Sequence, residues 1–287
     1  MRAAISTTAL MALALASAAG AAAPTAGAEG SICRAVSPPY TVALVELYTS
    51  QGCSSCPPAD RWLSKLQGGP APLRAVPLAL HVGYWDYIGW KDPFARREFN
   101  DRQRRLATHN GSGTVYTPEV FVGASELADW GSPDRVAAAL AAVNARPPQA
   151  SIELQAHWVA AAAASVPAAQ QLAVQVHWSV DRSARDPQLL LAVKRGGYLT
   201  DVQAGENRGE QLRNDHVVRA WGGPYGPARQ PLATELTVPY APGDAALVAI
   251  AQDGASGAVL QAVELSLAAC EAPADPAAAI RPKASAQ

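Results

Sequence analysis

The pattern of apolar and polar residues divides the chain into two parts that meet at Arg146-Pro147-Pro148. Before this point, short apolar runs alternate with segments whose apolar residues recur at helical spacing. Beyond it, apolar and polar residues alternate along strand-length segments separated by turns. The pattern therefore predicts an α/β domain over residues 40–146 and a β-rich domain over residues 149–270.

The first part has predicted elements in the order βαβαββα, with a parallel crossover. Runs rich in strand-forming residues lie at 42–48, 75–82, 119–122 and about 126–130. Helical segments lie at 59–66, about 93–107 and 133–144. The pairs Pro57-Pro58 and Ser132-Pro133 suit helix starts, because the N–H that proline lacks would have no partner there.

The second part has six predicted strands, at residues 151–159, 171–180, 189–193, 235–238, 246–251 and 259–265. Asp253-Gly254 and Ser256-Gly257 supply hairpin turn residues between the last two strands. These features favour an antiparallel sandwich or barrel. Residues 271–287 are rich in Ala and Pro without periodicity, and a disordered tail is predicted there.

The N-terminal segment resembles a secretory signal peptide over residues 1–28. Arg2 precedes an apolar stretch at residues 8–19, and small residues suited to cleavage follow it. The apolar stretch is shorter than the roughly 20 residues that cross a bilayer. We therefore expect a periplasmic or secreted protein without a permanent membrane span.

The charge of the chain is nearly balanced, with 23 basic and 24 acidic residues and a formal net charge of −1. No block of like charge interrupts this balance. The composition therefore gives no electrostatic reason to expect nucleic acid or an anionic membrane as a partner.

All four cysteines, Cys33, Cys53, Cys56 and Cys270, lie beyond the predicted cleavage site. An even number of cysteines in an exported chain indicates disulfide chemistry. Cys53 and Cys56 are close enough in sequence to pair with each other. That pairing would leave Cys33 and Cys270 as a candidate structural disulfide.

The Cys53-Ser54-Ser55-Cys56 motif follows a predicted buried strand and begins a predicted helix. A helix N-terminus stabilises a thiolate, so Cys53 is the candidate nucleophile and Cys56 the resolving thiol. A static disulfide and half of a zinc site are the alternatives. Zinc would need two further soft or imidazole ligands, and the sequence has no second CxxC motif to supply them.

The strand at residues 45–48, the Cys53-x-x-Cys56-Pro57 motif and Tyr116-Thr117-Pro118 together resemble the active-site elements of thioredoxins. The resemblance implies a cis peptide bond before Pro118 and substrate binding by Thr117. An ordinary trans proline at the start of a strand is the alternative.

Glu46 lies within an otherwise apolar strand, where a carboxylate is costly unless it is paired or protonated. The thioredoxin resemblance implies a catalytic role, in which this acid passes a proton to or from the resolving thiol. A salt-bridged or edge glutamate is the alternative.

Longer motifs resemble the exported family called domain of unknown function 1223. They lie at residues 48–60, 84–94, 114–118, 205–209 and 214–219, so the resemblance covers nearly all of the mature chain. It implies a thioredoxin-like fold with no assigned reaction, and the strand pattern adds a β-rich sandwich-like domain after it. One departure is Gly83, where an acidic residue is expected.

An aromatic segment follows the second predicted strand. Tyr84 and Trp85, with Tyr87 and Trp90, are predicted either to form a substrate-facing wall beside the cysteines or to fill the joint between the two parts. His81, just before them, is interpreted as a structural histidine. Residues 205–209 are interpreted as a turn whose polar side chains cap backbone groups.

The sequence favours a thiol–disulfide oxidoreductase that uses no cofactor and acts on a disulfide-containing protein or a small thiol substrate. A redox partner protein would exchange electrons with it. The first alternative is a non-catalytic binding module with a structural disulfide. The second is a metal carrier using Cys53, Cys56 and His81, although the absence of methionine clusters argues against copper delivery.

Overall fold

The computed structural model describes residues 31–66, 74–159, 169–228, 230–239, 244–268 and 270. The predicted signal peptide and the predicted tail lie outside these residues. Within them, no helix combines the length and the apolar character that crossing a membrane requires.

The described residues form three α-helices and fourteen strands, which confirms the predicted mixed α/β class. The helices are α1 (Pro57–Ser64), α2 (Arg97–His109) and α3 (Pro133–Asn144). The strands are β1 (Cys33–Val36), β2 (Ala43–Thr49), β3 (Ala75–His81), β4 (Glu119–Val122), β5 (Ser125–Glu126), β6 (Ala150–Val159), β7 (Gln170–Val180), β8 (Pro187–Arg195), β9 (Tyr198–Asp201), β10 (Gln211–Asn214), β11 (Val217–Tyr225), β12 (Leu232–Val238), β13 (Ala245–Asp253) and β14 (Val259–Ser266).

The predicted βαβαββα order of the first part is confirmed by the elements from β2 to α3. β2 and β3 run parallel, and α1 connects them. β4 pairs antiparallel with the other side of β2, and the short β5 pairs with β4. The C-terminal ends of β2 and β3 therefore lie side by side.

An eight-stranded sheet takes strands from both parts of the chain, in the order β14-β13-β8-β11-β3-β2-β4-β5. Within this sheet the two parts meet at β11 and β3, where the Ala79 N–H donates to the His216 carbonyl at 2.9 Å. β11 was not among the predicted strands, because it contains Gly222-Gly223-Pro224, which normally indicates a turn. Its pairing with β8 shifts register at this point.

A second sheet, in the order β1-β6-β7-β12, packs on the second part of the large sheet. Trp158, Leu172 and Leu247 are among the buried residues of the core between them. The Cys33–Cys270 disulfide lies in this core, with its Cα atoms 5.4 Å apart. It joins the first described strand to the segment that follows the last one.

The two faces of the large sheet carry different helices. Ala43 and Leu47 pack with residues of α1 and α3, whereas Leu44 and Tyr48 pack with residues of α2. Side chains alternate between faces along a strand, so Glu46 projects to the α2 face with Leu44 and Tyr48. The buried polar groups near the cysteines therefore form two sets, one on each face of the sheet.

Candidate functional site

The CxxC motif forms a tight turn between β2 and α1. The Cys53 N–H donates to the Ser50 carbonyl at 3.1 Å, and the Cys56 N–H donates to the Cys53 carbonyl at 3.2 Å. Cys56 is the N-cap of α1, and Pro57 follows at the first helical position. Cys53 and Cys56 form a disulfide across this turn, and the two residues are 1% and 0% exposed.

The segment before β4 lies against the disulfide. The Thr117-Pro118 peptide bond is cis, as the thioredoxin resemblance implied. The Thr117 carbonyl oxygen is 3.8 Å from Cys53 Sγ and accepts a hydrogen bond from the Ser55 hydroxyl at 3.4 Å. Thr117 therefore presents backbone next to the sulfur that would react with a substrate.

The aromatic residues that were predicted near the site divide between two roles. The Trp85 indole N–H donates to the Thr117 hydroxyl at 2.7 Å, which braces the cis-proline segment. The Trp90 indole N–H donates to the Gln51 side chain at 3.2 Å. Tyr84 is partly buried, whereas Tyr87 is 82% exposed. Trp85 and Trp90 thus support the loops of the site, and Tyr87 faces outward.

The second part of the chain also contacts the CxxC turn, through residues between β9 and β10. The Asn207 amide donates to the carbonyls of Gln51 and Cys53, at 2.9 Å each. The Glu206 carboxylate accepts from both the N–H and the hydroxyl of Ser54, at 2.8 Å each. Residues 205–209 do cap backbone groups, and the groups they cap belong to the CxxC turn.

Gln51 adds a further link between the two parts. Its side-chain amide donates to Asn214 at 2.8 Å and to Thr200 at 3.0 Å. Its backbone N–H donates to Asp92 at 2.8 Å. The residues that precede Cys53 are therefore held by buried hydrogen bonds on several sides.

Glu46 is fully buried and forms a bidentate ion pair with Arg102 of α2, at 2.6 and 3.0 Å. Tyr48 donates to the same carboxylate at 3.4 Å, and Arg102 also donates to Gln252 at 2.9 Å. Burial alone would lower the pKa of Arg102, but the Glu46 carboxylate raises it above the ordinary value. This arrangement keeps both charges permanently paired.

Asp60 is a second buried acid, and it lies one helical turn beyond Cys56. Cys56 has helical backbone angles, so residues 56 and 60 share a face of α1 and have neighbouring side chains. Asp60 is 7% exposed, and its Oδ1 has no hydrogen-bond partner among the described residues. Burial raises its pKa to about 6, an effect that the nearby His81 and Thr49 only partly offset.

His81 lies at the end of β3 on the same side of the sheet as Asp60. Its Nδ1 is 2.8 Å from Asp92, and its buried Nε2 has no partner among the described residues. Burial alone would lower the pKa of His81, but Asp92 raises it overall. Thr49, beside His81 in the parallel register, has a similarly unpartnered hydroxyl. The space behind Cys56 is therefore polar and incompletely hydrogen-bonded.

The described residues contain no group of three or more His, Cys, Asp and Glu side chains that could hold a metal ion. The metal-carrier alternative requires His81 as a ligand, but His81 Nδ1 is hydrogen-bonded to Asp92. Cys53 and Cys56 are bonded to each other.

A sequence model of the family described as "Protein of unknown function (DUF1223)" matches residues 44–252. The chain belongs to this family. The match spans both parts of the molecule, from β2 to β13. No curated protein matches the chain.

Two solved structures resemble this family member. Protein AGR_C_4864 from Agrobacterium tumefaciens is 23% identical with a TM-score of 0.50, over 79% of this chain and 95% of that chain. HBP35 of Porphyromonas gingivalis is 14% identical with a TM-score of 0.56, over 83% of this chain and 79% of that chain. At these identities, the likeness shows a shared fold alone.

Three functional candidates of this DUF1223 chain were missed by sequence reasoning: Asp60, Glu206 and Asn207. Asp60 carried a usable signal, because it lies four residues after Cys56 in a predicted helix. Glu206 and Asn207 belong to a recognised motif, but nothing in the sequence indicates which loop they contact.

Proposed function

We propose that this chain is an exported thioredoxin-like thiol–disulfide oxidoreductase that works through Cys53 and Cys56. The observation that carries the proposal is the position of Cys53 Sγ, at the start of α1 and 3.8 Å from the carbonyl of a cis Thr117-Pro118 unit. The antiparallel pairing of β4 with β2 supports the thioredoxin-like part of the proposal, because it places the start of β4, with Thr117-Pro118, beside the end of β2 that leads to the CxxC turn.

In the reduced enzyme, the Cys53 thiolate attacks one sulfur of a substrate disulfide. The Cys53–substrate bond forms, and the second substrate sulfur leaves as a thiolate. The Cys56 thiolate then attacks Cys53 Sγ, which releases the first substrate sulfur and forms the Cys53–Cys56 disulfide. Two electrons pass to the substrate, and the reverse sequence oxidises a substrate dithiol. A dithiol or disulfide partner protein restores the starting state.

The substrate would bind along the cis-proline segment. Thr117 precedes Pro118 and offers backbone groups next to Cys53, in the manner of an added strand. Trp85 holds the Thr117 side chain, and Tyr84 lies beside Trp85 in the chain. These residues suit an extended peptide around a cysteine, or a small disulfide of similar width.

Asp60 is better placed than Glu46 to exchange a proton with the Cys56 thiol. Asp60 shares a helix face with Cys56 and has a pKa of about 6. Glu46 lies on the other face of the sheet, in an ion pair with Arg102. We therefore assign the acid–base role to Asp60, and interpret Glu46 as the salt-bridged alternative.

The proposed location is the periplasm or the exterior of the cell. Two disulfides among the described residues fit an oxidising compartment. The predicted signal peptide is consistent with export.

The burial of both sulfur atoms favours a second candidate, a binding module in which Cys53–Cys56 is a static disulfide. Cys53 is 1% exposed, and a buried structural cysteine is inert. This candidate predicts a pair that resists reduction, so one measurement distinguishes the two.

The test is a redox titration of the mature chain, together with insulin reduction and trapping by the Cys56→Ser variant. We expect a potential between about −270 and −120 mV, the range of thioredoxin-fold oxidoreductases, and mixed disulfides on Cys53. Cys53→Ser is the matched control and should trap nothing. A potential below about −300 mV with no trapped partner would support the static disulfide instead.

A further inference from the structure

Glu206 is the charged side chain that directly contacts the dipeptide between the two cysteines. Its carboxylate accepts hydrogen bonds from the backbone N–H and the hydroxyl of Ser54, at 2.8 Å each. These bonds lower the pKa of Glu206, the backbone bond being the larger cause, so the group is ionised at neutral pH. A negatively charged carboxylate is therefore hydrogen-bonded to the residue that follows Cys53.

The backbone around Glu206 holds the carboxylate in this position. Gly205 has φ +76°, and an added Cβ there would lie 3.2 Å from Cβ of Trp90 and 3.3 Å from Cδ1 of Ile88. Asn207 on the other side is anchored to the carbonyls of Gln51 and Cys53. Glu206 itself is exposed, and the anchored residues on both sides of it hold its backbone beside Ser54.

A carboxylate in this position acts against the Cys53 thiolate. An ionised carboxylate near the Cys53 thiol disfavours a second negative charge, which raises the pKa of the thiol. Glu206 also engages the Ser54 N–H, a donor that borders Cys53. The reduced form of a dithiol is stabilised by an easily formed thiolate, so a group that opposes the thiolate makes the pair more reducing.

Other ionisable groups lie near the turn but differ from Glu206 in position. Asp60 comes from α1, His81 from the end of β3 and Asp92 from the loop before α2, and all three are buried. Arg208 follows in the same loop as Glu206 and is exposed. Glu206 is the acid that contacts the outer side of the turn.

We infer that Glu206 is a positioning residue from the β-rich part that sets the redox balance of the Cys53/Cys56 pair toward the disulfide. This inference rests on the proposed function. It gives the second part of the chain a specific role, because a loop between β9 and β10 tunes cysteines that belong to the first part.

The test compares the mature wild-type chain with Glu206→Gln. Glutamine has the same shape and retains a carbonyl acceptor for Ser54, but it removes the charge. We expect the pKa of the Cys53 thiol to fall by about one unit. The equilibrium constant with glutathione should change about tenfold in favour of the dithiol, which is about 30 mV toward a less negative potential.

Glu210→Gln is the matched control, because Glu210 is an exposed acid of the same loop and its loss changes the net charge equally. It should leave the equilibrium constant within twofold of wild type. Raising the salt concentration to about 1 M should shrink the difference between wild type and Glu206→Gln, since the Debye length falls to about 3 Å. A purely structural role for Glu206 would not respond to salt in this way.

The outcomes separate the two proposals. If wild type and Glu206→Gln exchange with glutathione at the same equilibrium constant, the inference about Glu206 is wrong and the proposed function stands. If the wild-type pair does not exchange at all, the proposed function is wrong and the inference fails with it. If Glu206→Gln is unstable, the salt titration of the wild-type chain decides: a potential that does not become less negative with salt overturns the inference.

Discussion

Two carboxyl groups, Glu46 and Asp60, are buried on opposite faces of the large sheet, and their surroundings differ. Glu46 is paired with Arg102 through two hydrogen bonds and accepts a third from Tyr48. Asp60 has an oxygen without a partner among the described residues, next to an incompletely bonded His81. Burial alone therefore does not identify an acid that exchanges protons. The decisive feature is the absence of a fixed counter-charge.

The same contrast separates structural from chemical uses of a buried charge. An ion pair such as Glu46–Arg102 joins β2 to α2 through buried, charge-assisted hydrogen bonds. An acid whose pKa is about 6 changes its protonation state near neutrality. Only the second kind is suited to proton exchange with a thiol.

The largest expected effect is that of Arg102→Met. The substitution leaves the buried Glu46 carboxylate without its partner, which costs about 3–5 kcal/mol of unfolding free energy in comparable buried pairs. Urea unfolding at pH 7 measures the loss. Arg104→Met is the control, since Arg104 is exposed on the same helix with a surface bond to Asp101. That control should cost less than about 1 kcal/mol. Equal losses in the two variants would contradict the assigned importance of the Glu46 pair.

A smaller effect is expected for Asp60→Asn, and it depends on pH. The folded-state pKa of Asp60 is about 6, above the ordinary 3.8, so the folded protein binds this proton more tightly than the unfolded chain. The stabilisation from Asp60 is therefore complete below pH 3.8 and is lost as the pH rises through 6. Two pKa units correspond to roughly 3 kcal/mol.

The measurement is the unfolding free energy of wild type and Asp60→Asn at pH 4 and pH 8, with both disulfides intact. Wild type should lose about 2–3 kcal/mol more than the variant between these pH values. Asp101→Asn, which removes an exposed acid, is the control and should track wild type. A parallel pH dependence in wild type and Asp60→Asn would show that Asp60 has an ordinary pKa.

The smallest effect on redox chemistry is expected for Glu46→Gln. Glu46 lies on the α2 face. Its replacement should therefore leave the midpoint of the pH profile for dithiol oxidation within about 0.3 pH units of wild type. A charge in direct contact with a thiol shifts the pKa of that thiol by about 1 unit or more. Stopped-flow oxidation of the reduced chain across pH 5–9 measures the profile. Asp60→Asn should instead remove the inflection near pH 6. A profile that moves with Glu46→Gln and not with Asp60→Asn would return the proton-exchange role to Glu46.

Much of the fold was predictable from local pattern. The strand over residues 119–122 and the helix ending at Asn144 agree with the structure at these boundaries. Four strands were missed, and each lacks a clean local signal. β11 contains Gly222-Gly223-Pro224, while β1, β9 and β10 have four residues each. Such short strands form only because a neighbouring strand supplies the hydrogen bonds.

The candidate site was predictable in its cysteines and its proline but not in its supporting residues. Cys53 and Cys56 were identified from a short motif, and Pro118 was identified from the resemblance to thioredoxins. Glu206 and Asn207 are far in sequence from the turn that they contact, at separations of 152 to 156 residues. No periodicity or spacing connects positions so far apart.

The thioredoxin resemblance implied the cis peptide bond before Pro118, whereas the sequence by itself determined the order of elements in the first part and the cysteine pair at a helix start. Each of these depends on residues close in the chain, where backbone preferences and helix geometry act directly. The tertiary structure decided that β11 adds to β3, that Glu46 faces Arg102 while Asp60 lies behind Cys56, and that Glu206 contacts Ser54. These facts depend on which face of a sheet a side chain occupies and on which distant loop packs against it. Both follow from packing the whole chain at once.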